Sequence, residues 1–126
     1  GRVDRVDRHP DGTLEIVDYK SWRWDVTPED VASDLAMNIY QLILRRCYPG
    51  AQVKATIYCL RSGAQASAAM SDEEAEEFAG DILILGEEIL NRDYENIEPV
   101  RIPACTWCDF LPRCQRFWQQ QSERES

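Results

Sequence analysis

The apolar and polar positions open with two short runs that read as the strands of one hairpin. Residues 2–9 and 13–20 carry Val3, Val6, Leu14, Ile16 and Val17, and His9-Pro10-Asp11-Gly12 between them is a cluster of turn formers. A three-residue loop, Pro10 to Gly12, sets His9 opposite Thr13, and so Asp4 opposite Asp18 and Arg2 opposite Lys20. Residues 21–26 form a loop holding Trp22 and Trp24. Thr27-Pro28-Glu29-Asp30 then starts a helix: the threonine caps, the proline suits the first helical position, and acids favour the first turn. Val31, Leu35, Ile39, Leu42 and Ile43 recur at helical spacing until Pro49-Gly50. Val53, Ala55, Ile57 and Cys59 share one face of a strand over residues 52–60, and residues 65–70 form a weaker strand. Ser71-Asp72-Glu73-Glu74 is a capping box, followed by Ala75, Phe78, Ile82, Leu85 and Ile89 as a buried stripe. An extended linker (residues 97–103), a cysteine-rich tail (105–118) and a frayed end (119–126) complete the chain. The order ββαββα predicts an α/β (α+β) fold built on a mixed sheet flanked by helices, with residues 1–104 as its core.

Composition narrows the classes. The 126 residues suffice for one domain with a real core, and 44% apolar content with four tryptophans describes a folded chain rather than a disordered one. No apolar run approaches membrane-spanning length and nothing reads as a signal peptide, so a cytoplasmic location without membrane partners is expected. The chain opens inside a strand, which suggests a fragment of a longer protein. The net charge of −9 is unevenly spread: residues Asp72–Glu98 hold eleven acids and one base, Arg92. The acidity belongs to one helix and its exit, a solvated face turned away from any polyanion. It argues against tight non-specific DNA binding by this piece alone, but not against a local site neutralised by metal ions.

The hairpin register carries chemistry. Asp18 and Lys20 share a face, with Asp4 directly across. Opposed like charges are destabilising, and a divalent cation between them removes that cost; oxygen ligands suit magnesium or manganese. A lysine beside them steadies an attacking water or the charge on a phosphate. The duller reading is a solvated strand face; the apolar flanks argue for a covered sheet, where paired charges need a reason. Trp22, Arg23 and Trp24 follow the lysine and are candidate contacts for bases or phosphates, or simply a cover for the sheet edge.

Five cysteines are present. Cys47 and Cys59 fall on apolar stripes and read as small buried hydrophobes. Cys105, Cys108 and Cys114 form C-x2-C-x5-C, suited to zinc or an iron–sulfur cluster, although each normally takes four ligands. A disulfide is the alternative, disfavoured in a reducing compartment. Trp107, Phe110 and Phe117 read as residues that pack the tail onto the core.

Taken together, Gly1-Arg2-Val3-Asp4-Arg5, Ile16-Val17-Asp18-Tyr19-Lys20-Ser21, the helix around Tyr40 and the Cys105–Cys114 spacing resemble the PD-(D/E)XK nuclease superfamily. The likeness is to the branch containing the RecB nuclease domain, AddB and the iron–sulfur nucleases of CRISPR adaptation. The resemblance implies a restriction-endonuclease-like core hydrolysing DNA with Mg2+ or Mn2+, as an exonuclease in repair, recombination or CRISPR adaptation, alongside a helicase domain or subunit. It implies Asp4, Asp18 and the Tyr19 carbonyl as metal ligands and Lys20 as the catalytic lysine. Arg5 and Tyr40 join Trp22 and Arg23 as candidate DNA contacts. Cys105, Cys108 and Cys114 match three of four ligands of a [4Fe-4S] cluster pinning the tail, incomplete or absent with only these three. The chain departs from the family pattern in three places. Ala36 stands where the family has a glutamine, and Gln41, next to Tyr40, points elsewhere. The upstream acidic residue or histidine and the fourth cysteine are also missing. Two rivals stand beside an active nuclease: a nuclease-like domain without activity, and a cysteine-based structural module with incidental hairpin charges.

Overall fold

The computed structural model describes all 126 residues. Two strands, β1 (Arg5–Arg8) and β2 (Leu14–Lys20), form the first hairpin. Gly12 takes a φ of 88° and donates its N–H to His9 O at 2.9 Å, while His9 N–H reaches Thr13 O at 2.9 Å. A tight turn closed by a left-handed residue is the usual build of a three-residue hairpin loop. Arg5 pairs with Val17 and Arg8 with Leu14, so the ladder extended by one residue sets Asp4 against Asp18. β1 is shorter than the expected 2–9, and Asp4 sits in a bend just before it.

Two helices cross from β2 to β3 (Val53–Cys59): α1 (Pro28–Ser33) and α2 (Leu35–Cys47). The pattern predicts one continuous helix here, and the structure divides it at Asp34. Thr27 and Asp30 build a reciprocal capping box for α1. Asp34, with ψ of 114°, leaves the helical region, and its Oδ1 then accepts Met37 N–H at 2.9 Å to cap α2. The break resets the helical phase. Val31, Met37 and Gln41 are buried, whereas Leu35 and Ile43, expected inside, are exposed.

The crossover makes β2 and β3 parallel, and β4 (Gln65–Ala68) closes a mixed four-stranded sheet in the order β1-β2-β3-β4. Leu14 and Ile16 of β2 face the same way as Val53, Ala55, Ile57 and Cys59 of β3, and α1 and α2 cover that face. Ile16, Ile57, Met37 and Val31 are almost fully buried, each worth roughly 1.5–3 kcal/mol on transfer from water. Asp18 and Lys20 continue this core face to the carboxyl ends of the parallel strands, beside the buried Ile57 and Cys59 of β3. The sheet's position therefore decides where two charged groups become half-covered.

The last long helix of this region, α3 (Asp72–Asn91), begins at the expected capping box, Ser71 with Glu74. The expected buried stripe does not form: Ala75 is its one buried residue, and Leu85 and Ile89 are exposed. No helix is long and apolar enough to cross a membrane.

By contacts the chain divides into two compact units, Gly1–Gly86 and Glu87–Ser126. The second holds a 3-10 turn (Pro103–Trp107) and α4 (Leu111–Glu125). Trp118 anchors it, donating to Pro99 O at 2.9 Å beneath the Arg101 guanidinium. Residues 119–125, expected as a frayed end, continue α4.

Candidate functional site

The charged residues of the hairpin come together at the end of β2. Asp4 Oδ2 accepts the Tyr19 backbone N–H at 2.9 Å, taking the place of a ladder partner beyond the end of β1. A strand residue turns its N–H and C=O to the same side, so the Tyr19 carbonyl also faces the Asp4 side. The alternation agrees: Lys20 O, one residue on, turns the other way and accepts Leu60 N–H at 2.9 Å.

Asp18 and Lys20 form an ion pair, with Nζ 2.8 Å from Oδ2. Asp18 Oδ2 is closed off from solvent, so the Lys20 ammonium is its partner, and losing that cation would leave a buried carboxylate oxygen unpaired. Pairing with Asp18 raises the Lys20 pKa above the ordinary lysine value against a smaller opposing effect of burial; the charges of Asp34 and Asp4 raise it further. Lys20 is thus a firmly protonated cation.

Asp34 is the residue that the sequence pattern missed. It lies inside an apolar-periodic stretch with no glycine or proline to mark a break. The available signal was its own residue type three positions before Met37, the spacing of an N-cap.

Around this centre, Trp22 and Trp24 stack at 5.4 Å between centroids, and Lys20 Nζ lies 6.0 Å from the Trp22 ring. Trp22 packs against the core, while Trp24 and Arg23 are exposed at the site's edge. Tyr40 is engaged locally: its hydroxyl donates to Arg2 O at 2.7 Å and accepts Arg2 N–H at 3.3 Å, fixing the backbone two residues before Asp4. Arg5 bonds Asp7 and the Tyr19 hydroxyl and lies over the Tyr19 ring, on the sheet face away from Asp18 and Lys20. Ala36 is exposed in the first turn of α2. Gln41 is buried, accepting Met70 N–H.

A second acidic centre lies three residues earlier on β2. Glu15 accepts from Thr56 Oγ1 at 2.6 Å, contacts His9 Nε2 at 3.0 Å and pairs with Lys54 at 3.3 Å. Burial pushes its pKa up, but these three partners outweigh it and hold Glu15 below the usual glutamate value. Glu15 thus has three partners where Asp18 has Lys20.

The sequence model of the PD-(D/E)XK nuclease superfamily matches residues 1–115. The chain belongs to the PD-(D/E)XK nuclease superfamily. Its mixed sheet with flanking helices is a restriction-endonuclease-like fold, and membership implies DNA as substrate and, typically, divalent metal ions. No curated protein matches the chain.

The donor set fits such an ion. Asp4 and Asp18 supply two carboxylates, and magnesium takes one or two carboxylates with water and phosphate. No three histidine, cysteine or acidic side chains converge as a complete protein-only metal cage. Cys105, Cys108 and Cys114 supply three thiolates, where a [4Fe-4S] cluster normally takes four protein ligands. The 3-10 turn carries Cys105 and ends at Cys108, Cys114 lies one turn into α4, and all are free thiols.

Proposed function

We propose that this domain is a Mg2+- or Mn2+-dependent deoxyribonuclease that hydrolyses DNA phosphodiesters as an exonuclease. The observation that carries the reading is the half-buried Asp18–Lys20 pair, with Asp4 beside it, at the carboxyl ends of two parallel strands. Open α/β sheets bind their ligands at that end. Asp4, Asp18 and the Tyr19 carbonyl would hold the ion, which supplies positive charge that acidifies water and offsets the charge of the scissile phosphate. Lys20, kept protonated by its carboxylate neighbours, orients the attacking water and stabilises negative charge on the phosphoryl oxygens. Trp24 and Arg23, exposed beside it, suit a base stack and a phosphate contact. Tyr40 works indirectly, by holding the Arg2 backbone that leads to Asp4. The order of motifs supports the RecB/AddB-like branch, and with it a role beside a helicase in repair, recombination or CRISPR adaptation.

A second reading, a nuclease-like domain that binds DNA without cutting it, is favoured by Ala36, which offers no polar group at the start of α2. End-labelled single- and double-stranded DNA, with manganese, magnesium or EDTA, decides between them. Metal-dependent cleavage that falls ~100- to 1,000-fold in Lys20→Ala, with an unchanged circular dichroism spectrum, supports the nuclease. A Lys20→Ala protein that cuts as fast as the parent sinks the role of Lys20. DNA bound but uncut with every metal selects the second reading.

A further inference from the structure

The break at Asp34 sets the end of α1 beside the start of α2, and Asn38 Nδ2 donates across it to Ala32 O at 2.8 Å. One turn further along α2, Gln41 Oε1 accepts the N–H of Met70, just beyond β4, at 3.2 Å. These bonds fix which way round each amide lies, so Asn38 is left with its oxygen free and Gln41 with its nitrogen free. Asn38 Oδ1 and Gln41 Nε2 are both closed off from bulk water, and neither has a hydrogen-bond partner within the protein. Gln41 as a whole is 1% exposed. Buried polar atoms left unpaired are costly, so two of them side by side call for an explanation.

Both side chains line a partly open cavity of about 210 Å³. Ala32 of α1, the Ala68-Ala69-Met70 segment at the end of β4, and Phe78 of α3 supply its apolar walls. Glu74 is the one charged residue of the lining. Its Oε2 accepts Ser71 N–H at 2.7 Å, which leaves the carboxylate further acceptor capacity. A water takes about 30 Å³, so the cavity is too roomy for a single bridging water to fill.

The two free atoms select the chemistry of the occupant. It must accept from Gln41 Nε2 and donate to Asn38 Oδ1, and carry an apolar stem. A primary carboxamide does both from one planar group, with a second N–H left over for Glu74. A carboxylate has no proton for Asn38 and meets Glu74 as a like charge, and an ammonium has no acceptor for Gln41. A DNA strand would bring its phosphates toward Glu74, which like-charge repulsion opposes. We infer that the cavity between α1, α2, the end of β4 and the start of α3 binds a primary carboxamide on a short apolar stem, supplied by a small free amide or by a glutamine side chain of a partner. Its carbonyl pairs with Gln41, its NH2 with Asn38 and Glu74, and Met70 and Phe78 cover the stem. The site shares no residue with the Asp4, Asp18 and Lys20 centre and does not rest on the nuclease reading.

The side-chain amide signals of Asn38 and Gln41 in heteronuclear NMR spectra of the full chain report occupancy directly. Propionamide should shift both along a saturable curve, and propionate and propylammonium should each bind at least ~10-fold more weakly, because each leaves one of the two atoms unanswered. A short glutamine-containing peptide separates the sources: binding tighter than propionamide assigns a partner's side chain, and weaker binding assigns a free amide. Asn38→Ala removes the acceptor and should weaken propionamide ~10-fold. Ala32→Leu, at an exposed position of the rim, fills the cavity without removing a polar group. It should abolish the shift of Gln41 with the melting temperature unchanged, and it keeps the test sharp if Asn38→Ala loosens the junction of α1 and α2. No shift with propionamide, a shift that survives Ala32→Leu, or tighter binding of propylammonium overturns the inference. A response to single-stranded DNA but to neither amide overturns it too, by assigning the cavity to a base.

Discussion

Asp4, Asp18, Lys20 and Asp34 are scattered through the first third of the sequence, yet all three carboxylates act electrostatically on one ammonium. Cys105, Cys108 and Cys114 lie within one short segment and form no convergent set. In the first group a turn and a strand register place Asp4, Asp18 and Lys20, and a helix cap places Asp34. The second sits on a 3-10 turn, its cap and the start of α4, whose local geometry does not aim three sulfurs at one point. Proximity in sequence suggested the cysteine cluster, whereas the hairpin carboxylates come together through the scaffold.

The sharpest way to break this contrast is Asp18→Asn, which keeps the shape and removes the charge. Manganese affinity, by titration calorimetry, should fall at least ~10-fold, as altering even outer-shell partners of a metal costs that much. Unchanged affinity would mean that the hairpin end is not the metal site.

Asp34→Ala probes whether the helix break is part of the same scaffold. Losing the cap on Met37 N–H should cost about 1 kcal/mol in urea unfolding. It should also lower the Lys20 pKa, followed by NMR, because one of its three carboxylate neighbours is gone. Stability lost with no change at Lys20 would leave Asp34 a cap and nothing more.

Glu15 provides the internal control, a carboxylate on the same strand with its partners in place. Its folded pKa lies below the ordinary 4.5, so the unfolded chain takes up the proton first as pH falls. Its stabilising contribution is therefore present above pH 4.5 and lost as the pH drops through the folded value. Thr56→Val should cost about 1 kcal/mol at pH 7, and the cost should shrink when unfolding is measured in acid. A constant difference from pH 7 to pH 3 would show that the hydroxyl matters for packing rather than for the Glu15 charge.

The smallest effect is expected from changing Cys105, Cys108 and Cys114 together to serine. Manganese affinity at the hairpin end should stay within twofold of the parent. A large loss would join the two regions that the comparison separates.

Much of the fold was legible because local chemistry dictates it. Pro10-Asp11-Gly12 fixes the hairpin loop, the loop fixes the register, and period-two alternation puts Asp4, Asp18 and Lys20 together. The Thr27 and Ser71 caps were readable for the same reason, since each is satisfied within three residues. Asp34 was not readable, because a helix pattern carries across a one-residue break unless glycine or proline marks it. The fate of α3 was not readable either. Periodicity names the apolar face of a helix, but only the neighbours decide whether that face is covered, and here Leu83 and Leu90 are exposed.

The sequence by itself determined the strands, the caps, the hairpin register and the residue types at the end of β2, because turn geometry and side-chain alternation act over a few residues. Tertiary structure alone decided that the Asp18–Lys20 pair is half-buried, that the charge of Asp34 acts on it, and that Tyr40 holds the Arg2 backbone. Those outcomes depend on how the crossover helices lie against the sheet and on which atoms water can still reach, and both are settled by packing between residues far apart in the chain.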